Sequence, residues 1–522
     1  SENFFFSGGQ KNILLLIIDD WGIDASPFDN PTGIALPKLP NMDALVRRGL
    51  RFTRCHSQPL CSPTRATILT GRHPFEHTVG NPSNSSILPT SELTLPEIFT
   101  AQNSRFGMAA YGKWHLGGTA NAPSVRGGWP EFAGIRRGGV TNYTLWDKLE
   151  NGTTTEDVTS YTTTDQVNEG TDFIVSQGTN PWFLWMAFNA PHTPFHSPPS
   201  NLAPVGGYST SGSSNSDQYI RALEALDTEI GRLLTVVDLN RTNVIVIGDN
   251  GTPGQVVQAP FGNGHAKGDL YQGGIHVPLF AVGPDIHVTG TTDKLVHCVD
   301  LFSTILDLGG IDESAATVGV ATHSQSLLPI FHGIDTASRC VIAEKFGDNN
   351  GNGRALISDV HPDYKLIIFG DKDDISDTPI FELYNLPSDA NEQTNLLLSP
   401  LSNEAQSAYD HLLAKDLALG GGYSDSPAGS FDTIYIKLPN RTGPSSPPNN
   451  LSVNPTAIII DGQLASFVAR EDSSGTTQRY WVKCSLTPGT GGPFTSATVT
   501  FPNNPNTGDT RSFNSTQIIA NP

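Results

Sequence analysis

Two short acidic stretches occupy matching places in the sequence. Asp19-Asp20 follows the apolar run Ile13 to Ile18, and Gly248-Asp249-Asn250-Gly251 follows Val244 to Ile247. Three carboxylates and an amide oxygen crowded together repel one another unless a cation lies between them. Ligation by oxygen alone favours Ca²⁺ or Mg²⁺ over zinc, which takes His or Cys. One pair alone is equally a turn cap after its strand; two pairs in matching places point to a metal. The second group is Cys61-Ser-Pro-Thr-Arg-Ala-Thr-Ile-Leu-Thr-Gly71. Ser62 is a good helix N-cap and Pro63 suits a first turn, so Cys61 is expected just outside a helix N-terminus. Partial positive charge there favours an anion or a deprotonated nucleophile. An isolated cysteine is usually a small buried hydrophobe, so its chemistry depends on the residues around it.

These groups need a frame that brings them together. Ile13 to Ile18 and Val244 to Ile247 are continuously apolar, as strands buried on both faces are. Tyr219, Leu223, Leu226, Ile230, Leu233 and Val237 step by four and three along one helical face. Strands interleaved with helices predict an α/β domain with a largely parallel sheet, whose ligands bind beyond the carboxyl ends of its strands. Near residue 335 the pattern changes to shorter strands, Tyr364 to Phe369 and Ile380 to Tyr384, and then a helix around Glu404 to Leu417. After Gly420-Gly-Gly422, the strand-like segments Thr433 to Leu438, Ala457 to Ile460, Tyr480 to Cys484 and Ala497 to Phe501 alternate with Pro- and Asn-rich stretches such as Gly443 to Pro448. The expected division is a catalytic α/β domain at 1–335, a smaller α+β subdomain at 336–424 and a β-rich appendage at 425–522.

Composition narrows the function. With 522 residues the chain exceeds one ordinary core. Its 51 acidic and 31 basic residues give a net charge of −20, which argues against general affinity for nucleic acid or an anionic membrane. The longest apolar runs, Ile13 to Ile18 and Trp182 to Phe188, are far shorter than the roughly 18 residues of a membrane span. Five cysteines are too few for a disulfide framework. Cys298, Cys340 and Cys484 are expected as buried thiols, and Cys55 has no motif around it. The start at Ser1, without Met or an apolar leader, gives the expectation of a mature periplasmic or secreted protein, or of a trimmed chain.

The sequence Cys61-x-Pro-Thr-Arg65 followed by Thr70-Gly-Arg72 resembles the signature of the formylglycine-dependent sulfatases, although the usual form has Ser at the position of Thr64. Asn12 to Gly22, Gly112-Lys-Trp-His-Leu-Gly117, Asn189-Ala-Pro-His-Thr-Pro194, Gly248 to Gly251, Lys267 to Pro278 and Phe381 to Leu397 resemble further elements of that family, in order. Within the Lys267 element, Gln272 stands where Glu is common and His276 where Arg is common. The resemblance covers about Lys11 to Leu398; nothing from about 425 onward has a counterpart. It implies a large alkaline phosphatase-like domain with a central mixed, mostly parallel sheet.

The resemblance also implies that Cys61 is oxidised to formylglycine by a generating enzyme during maturation. Asp19, Asp20, Asp249, Asn250 and modified Cys61 would hold one divalent cation, with Ca²⁺ preferred over Mg²⁺. Arg65, Lys113 and Lys267 would surround the sulfate, and His115 and His192 would handle protons. Three acids, three bases and a divalent ion sum to +2, which suits a sulfate ester. As its geminal diol, residue 61 would attack sulfur through one hydroxyl, and the other would let the sulfated intermediate collapse. His192 or a lysine would protonate the departing alcohol, and His115 would serve as the later base. His73, His77 and His196 are expected as local hydrogen-bond partners, and the role of His265 is left open. The leading activity is hydrolysis of a sulfate monoester on a small molecule or glycan. The alternatives are a phosphonate monoester or phosphodiester hydrolase of the same superfamily, and a non-catalytic binder of sulfated glycans. The alcohol portion is set by loops such as Asn121 to Thr144 and Pro198 to Asn215. A homo-oligomer stays open.

Overall fold

The computed structural model describes residues 10–420 apart from 31–34, 84–86, 103, 263, 318–319, 335–337, 348–351 and 371–378; beyond 420 it describes the strands named below. The central sheet contains β1 (Asn12–Ile18), β2 (Leu50–Phe52), β3 (Gly107–Lys113), β4 (Phe132–Ile135), β5 (Trp146–Glu150), β6 (Thr153–Val158), β7 (Trp182–Phe188), β8 (Thr242–Gly248), β9 (Leu279–Val282) and β10 (Gly290–Thr292). Their order is β10-β2-β9-β8-β1-β7-β3-β4-β5-β6. The middle strands β8, β1, β7, β3 and β4 run parallel, while β9, β5 and β6 pair antiparallel toward the margins. The sheet is therefore mixed, with a parallel centre, as expected.

The longer helices are α1 (Cys61–Thr70), α2 (Thr162–Gln177), α3 (Asn215–Leu234), α4 (Asp300–Leu308) and α5 (Asn403–Gly420). Alternation along β1 distributes its side chains between two cores. Ile13, Leu15 and Ile17 join Ala66, Ile68 and Leu69 of α1 and Leu301, Phe302 and Ile305 of α4. Leu14, Leu16 and Ile18 join Val167 and Phe173 of α2 and Tyr219, Leu223, Leu226, Ile230 and Leu233 of α3. The predicted helical stripe thus faces the sheet. Val237 lies past the end of α3 yet remains in that core.

A second sheet of four antiparallel strands, β11 (Cys340–Lys345), β12 (Gly353–Ser358), β13 (Tyr364–Phe369) and β14 (Ile380–Asn385), follows in simple up-and-down order. Its apolar face, with Ala343, Ala355, Ile367 and Tyr384, packs on Leu270 and Ile275. Beyond residue 430, β15 (Thr433–Lys437), β16 (Ala457–Ile460), β17 (Gln463–Asp472), β18 (Tyr480–Ser485), β19 (Ser496–Thr500), β20 (Thr510–Asn514) and β21 (Ile518–Ala520) form an antiparallel sheet in the order β20-β19-β16-β17-β18-β15-β21. The residue pattern alone marks four of these strands and passes over β17, β20 and β21. Gly421, Gly422, Leu438, Phe501 and the Gly443 to Pro448 stretch lie outside the described residues. By internal contacts the chain parts into two compact units, Ser1–Phe369 with Ile380–Leu412, and Gly370–Pro379 with Leu413–Pro522.

Leu16 is fully buried on β1. Leu16→Ala should cost about 2–5 kcal/mol through lost burial and the cavity left behind. Val205, 101% exposed, serves as the contrast, and Val205→Ala should stay within about 0.5 kcal/mol. Chemical denaturation of the two variants beside the wild type checks both values.

Candidate active site

The carboxyl ends of β1 and β8 are neighbours, with Ile18 paired to Gly248, so Asp19-Asp20 and Asp249-Asn250 leave the sheet side by side. All four are at most 1% exposed. The Asp20 amide donates to Asp249 Oδ1 at 3.0 Å, and Asn250 Nδ2 donates to Asp20 Oδ1 at 2.8 Å. Lys113, the last residue of β3, places Nζ 2.7 Å from Asp19 Oδ2. Arg65, on the first turns of α1, donates to Asp249 Oδ2 at 2.7 Å and to the Lys113 carbonyl at 2.9 Å. Lys267 Nζ lies 2.5 Å from Asp20 Oδ1.

Cys61 is the first residue of α1 and 1% exposed. The expected cap geometry is corrected here: Leu60, not Ser62, precedes the helix, because the Ser62 hydroxyl donates to the His115 carbonyl at 2.8 Å. Cys61 Sγ lies 3.2 Å from His115 Nδ1. His115 Nε2 is 3.0 Å from the Pro82 carbonyl, which can only accept. The ring proton is therefore on Nε2, leaving Nδ1 as the acceptor facing Cys61. His192 Nδ1 likewise donates to the Thr193 carbonyl at 2.8 Å, and its Nε2 stands 3.9 Å from Asp20 Oδ2. One contiguous cluster thus holds all ten residues singled out in the sequence.

Burial and neighbouring charge set the protonation states. Burial acts to raise the Asp20 carboxyl, but Lys267, His192 and Lys113 hold it well below the ordinary range. Arg65 and Lys113 likewise overcome burial and keep Asp249 low. Asp19 goes the other way: burial, with Asp249 and Asp20 beside it, outweighs Lys113 and Arg65 and raises it. Burial, reinforced by Lys113, Arg65 and Lys267, keeps His115 neutral. His192 falls to about 3 through burial, despite the opposing charge of Asp20.

Two observations fit a cation. Asp19 Oδ1 and Asn250 Oδ1 are buried without a hydrogen-bond partner, the state of an oxygen shaped to ligate a metal. Ligand atoms of Asp19, Asp20 and His192 also lie within 4.8 Å of one another. Asp20 and His115 both adopt positive φ, 63° and 58°, a strain that accumulates at functional sites.

The other histidines and cysteines noted in the sequence sort clearly. His77 Nε2 meets Thr67 Oγ1 at 3.1 Å and His196 Nε2 meets the Tyr161 hydroxyl at 2.9 Å, so both are local partners. His73 caps the short helix after it, its amide donating to Glu76 Oε2 at 3.1 Å, while its ring stands between His297 and His323 with Nδ1 unbonded. His265 stacks on Tyr271 with centroids 3.7 Å apart and contacts the Asn391 carbonyl through Nδ1 at 2.7 Å. Gln272 meets His56 Nε2 at 3.2 Å, and His276 stacks on that same ring, so a neutral cluster stands where the family's Glu and Arg are common. Cys55, Cys61 and Cys298 are buried and take part in no disulfide. Cys340 is half-buried, because it opens the first strand of the second sheet.

A family model described as Sulfatase matches residues 11–311, more than half of the chain. The N-acetylgalactosamine-6-sulfatase of Homo sapiens is 30% identical over 345 residues, covering 58% of this chain and 62% of the relative. The uncharacterized sulfatase YdeN of Escherichia coli (strain K12) is 27% identical over 362 residues, covering 58% of this chain and 63% of the relative. The chain therefore spans less than two thirds of the length of each. A solved structure described as being in complex with its substrate D-glucosamine-2-N,6-O-disulfate superposes with a TM-score of 0.61 at 18% identity, covering 79% of this chain and 97% of that one. That likeness shows the fold, the alkaline phosphatase-like one.

Sequence reasoning missed a buried support beneath the cluster. The Tyr219 hydroxyl donates to the Asp20 carbonyl at 2.8 Å. Thr252 Oγ1 accepts from the Gly22 amide at 3.2 Å and donates to Asp24 Oδ1 at 2.7 Å, while its carbonyl accepts from the Lys267 amide at 3.0 Å. Thr252 thus holds the Lys267 backbone directly and stands 3.4 Å from the Tyr219 hydroxyl that holds Asp20. Its position directly after Asp249-Asn250-Gly251 was the available signal. Thr252→Val keeps the side-chain shape but strips Asp24 of a donor, which costs about 1–3 kcal/mol. Divalent-cation binding measured by calorimetry should weaken about tenfold, roughly 1.4 kcal/mol, and Thr252→Ser should restore it.

Proposed function

Because the chain belongs to the sulfatase family, we propose that it hydrolyses a sulfate monoester on a carbohydrate, releasing the alcohol and inorganic sulfate. The observation that carries this reading is Cys61 Sγ set 3.2 Å from an accepting His115 Nδ1, beside a cluster whose Asp19 Oδ1 and Asn250 Oδ1 are buried without a hydrogen bond. The names of relatives such as N-acetylgalactosamine-6-sulfatase favour a sugar as the alcohol. The division at 335 and 424 remains our reading of the domains, with 1–335 carrying the chemistry.

Sulfatases generally use a divalent metal and formylglycine. In this chain Asp19, Asp20, Asp249, Asn250 and residue 61 would hold the cation, Ca²⁺ in preference to Mg²⁺. When present, the cation supplies Lewis acidity and formylglycine supplies, as its hydrate, the attacking hydroxyl. Arg65, bound to Asp249 and to the Lys113 carbonyl, fixes the acid cluster. Lys113 and Lys267 offer positive charge to the sulfate oxygens, where charge grows during transfer. His115 accepts a proton at Nδ1, the atom that faces residue 61. Lys267 stays protonated, because Asp20 raises it against burial, and can deliver a proton to the departing oxygen, whereas neutral His192, whose proton sits on Nδ1, has none on Nε2 to give. Since Cys61 is 1% exposed in the folded chain, the generating enzyme must act on it before folding closes the site.

Peptide mass spectrometry should find residue 61 as an aldehyde reactive toward hydrazide. Cys61→Ala should fold and be inactive; an active enzyme retaining a free Cys61 thiol would defeat the mechanism. Asp249→Ala should lose both cation and turnover, and elemental analysis beside the assay checks this. For one common leaving group, kcat/KM on an aryl sulfate should exceed that on the phosphonate monoester and phosphodiester by at least about tenfold, roughly 1.4 kcal/mol. The reverse order would hand the assignment to phosphorus esters.

A further inference from the structure

We propose that Arg136 and Arg137 form a subsite for a second anionic group, a sulfate or carboxylate, on the sugar whose ester lies at residue 61. The inference rests on the sulfate-ester reading and narrows its substrate to sugars carrying at least two negative groups.

The placement follows from the sheet. β4 runs parallel to β3, with Ile135 paired to Lys113, so the chain leaves β4 at the end where Lys113 and His115 stand. The His115 amide donates to the Arg136 carbonyl at 3.1 Å. Two residues on, the backbone lies against both histidines of the site. A Cβ at Gly138 would stand 2.5 Å from His115 Cε1, and one at Gly139 would stand 3.1 Å from His192 Cε1. Glycine at both positions lets the backbone come this close without displacing the rings. Arg137 is therefore a single Cα step of about 3.8 Å from backbone that touches His115.

Charge gives the pair its function. Arg136 is half-buried and Arg137 exposed. Among the described residues neither guanidinium makes a hydrogen bond or an ion pair, in a chain with 51 acidic residues against 31 basic ones. The inner cations are differently placed: Arg65, Lys113 and Lys267 each pair with an acid. A monosulfated substrate would place its one anion at that inner set and leave the two arginines unanswered. A guanidinium fork matches the planar carboxylate and the oxygens of a sulfate, which a point-charge ammonium matches less well.

The test compares matched sugars, glucosamine 6-sulfate with glucosamine 2-N,6-O-disulfate and galactosamine 6-sulfate with its disulfated form, for binding to the Cys61→Ala protein by calorimetry. In at least one pair the second sulfate should tighten binding tenfold or more at low salt. Arg136→Gln with Arg137→Gln should erase that gain while unfolding at the temperature of its parent. No gain in any pair, or a gain that survives the double substitution, overturns the subsite. Wild-type enzyme with confirmed formylglycine is assayed on the same sugars and an aryl sulfate. Failure to hydrolyse any of them would remove the catalytic reading, while the binding comparison still decides the subsite.

Discussion

Three carboxylates withdrawn from water at the ends of two neighbouring strands are tolerable only because three cations pack against them, Arg65 and Lys113 buried and Lys267 half-buried. Each charge carries a desolvation penalty of several kcal/mol, which a partner offsets only at close range. Asp19 meets Lys113, Asp249 meets Arg65 and Asp20 meets Lys267, all within 2.5–2.7 Å. The six come from five segments of the chain, so these pairings constrain where β1, β3, β8, α1 and the Lys267 loop can lie. The balance is incomplete at Asp19, whose second oxygen has no hydrogen-bond partner and only a 3.8 Å ion-pair contact with Arg65, and whose carboxyl is raised. A divalent cation would fit that remaining demand.

The smaller sheet belongs to this frame. Lys345 on β11 donates to the Gly268 carbonyl, and the Asn391 carbonyl meets His265 on the other side of Lys267. Glu392 accepts from the Gln272 amide and holds the fully buried Lys365. The backbone at Lys267 is thus held from beneath by Thr252, and its neighbours Gly268 and His265 are held by residues 77 and 126 positions later. Positioning a single ammonium group requires both sheets.

What the sequence made legible follows from physics local to a segment. Continuous apolar runs marked β1 and β8, the four-and-three spacing marked α3, and the strand-end acids marked the cluster. The contacts of Thr252 with Gly22 and Asp24 join residues about 230 positions apart, and no periodicity records such a meeting. Ser62 misled because its hydroxyl is an equally good donor to a passing carbonyl, and His115 supplied one. Trp182 to Phe188 served to exclude a membrane span; as β7 it is also the strand beside β1. Among the described residues no helix is long and apolar enough to cross a membrane. In the last hundred residues, β17 begins at Gln463, is interrupted at Ser466 and ends in the charged run Arg470-Glu471-Asp472, so it lacks the apolar run that revealed its neighbours.

The strand order sets a clock for biosynthesis. β1 is synthesised first but takes its place between β7 and β8, and roughly 190 residues separate Cys61 from the end of β8. At a ribosomal rate of about 5–20 residues per second, that interval is roughly 10–40 seconds. Until β7 is complete at Phe188 the strand that leads to Asp19 and Asp20 lacks both of its lateral partners, and until β8 is complete at Gly248 it lacks one, so the segment around Cys61 has no finished sheet to close against. A topology with β1 paired to its nearest neighbour in sequence would shorten that interval. The crossover connection would therefore give the converting enzyme proposed for Cys61 a stretch of time in which to reach it.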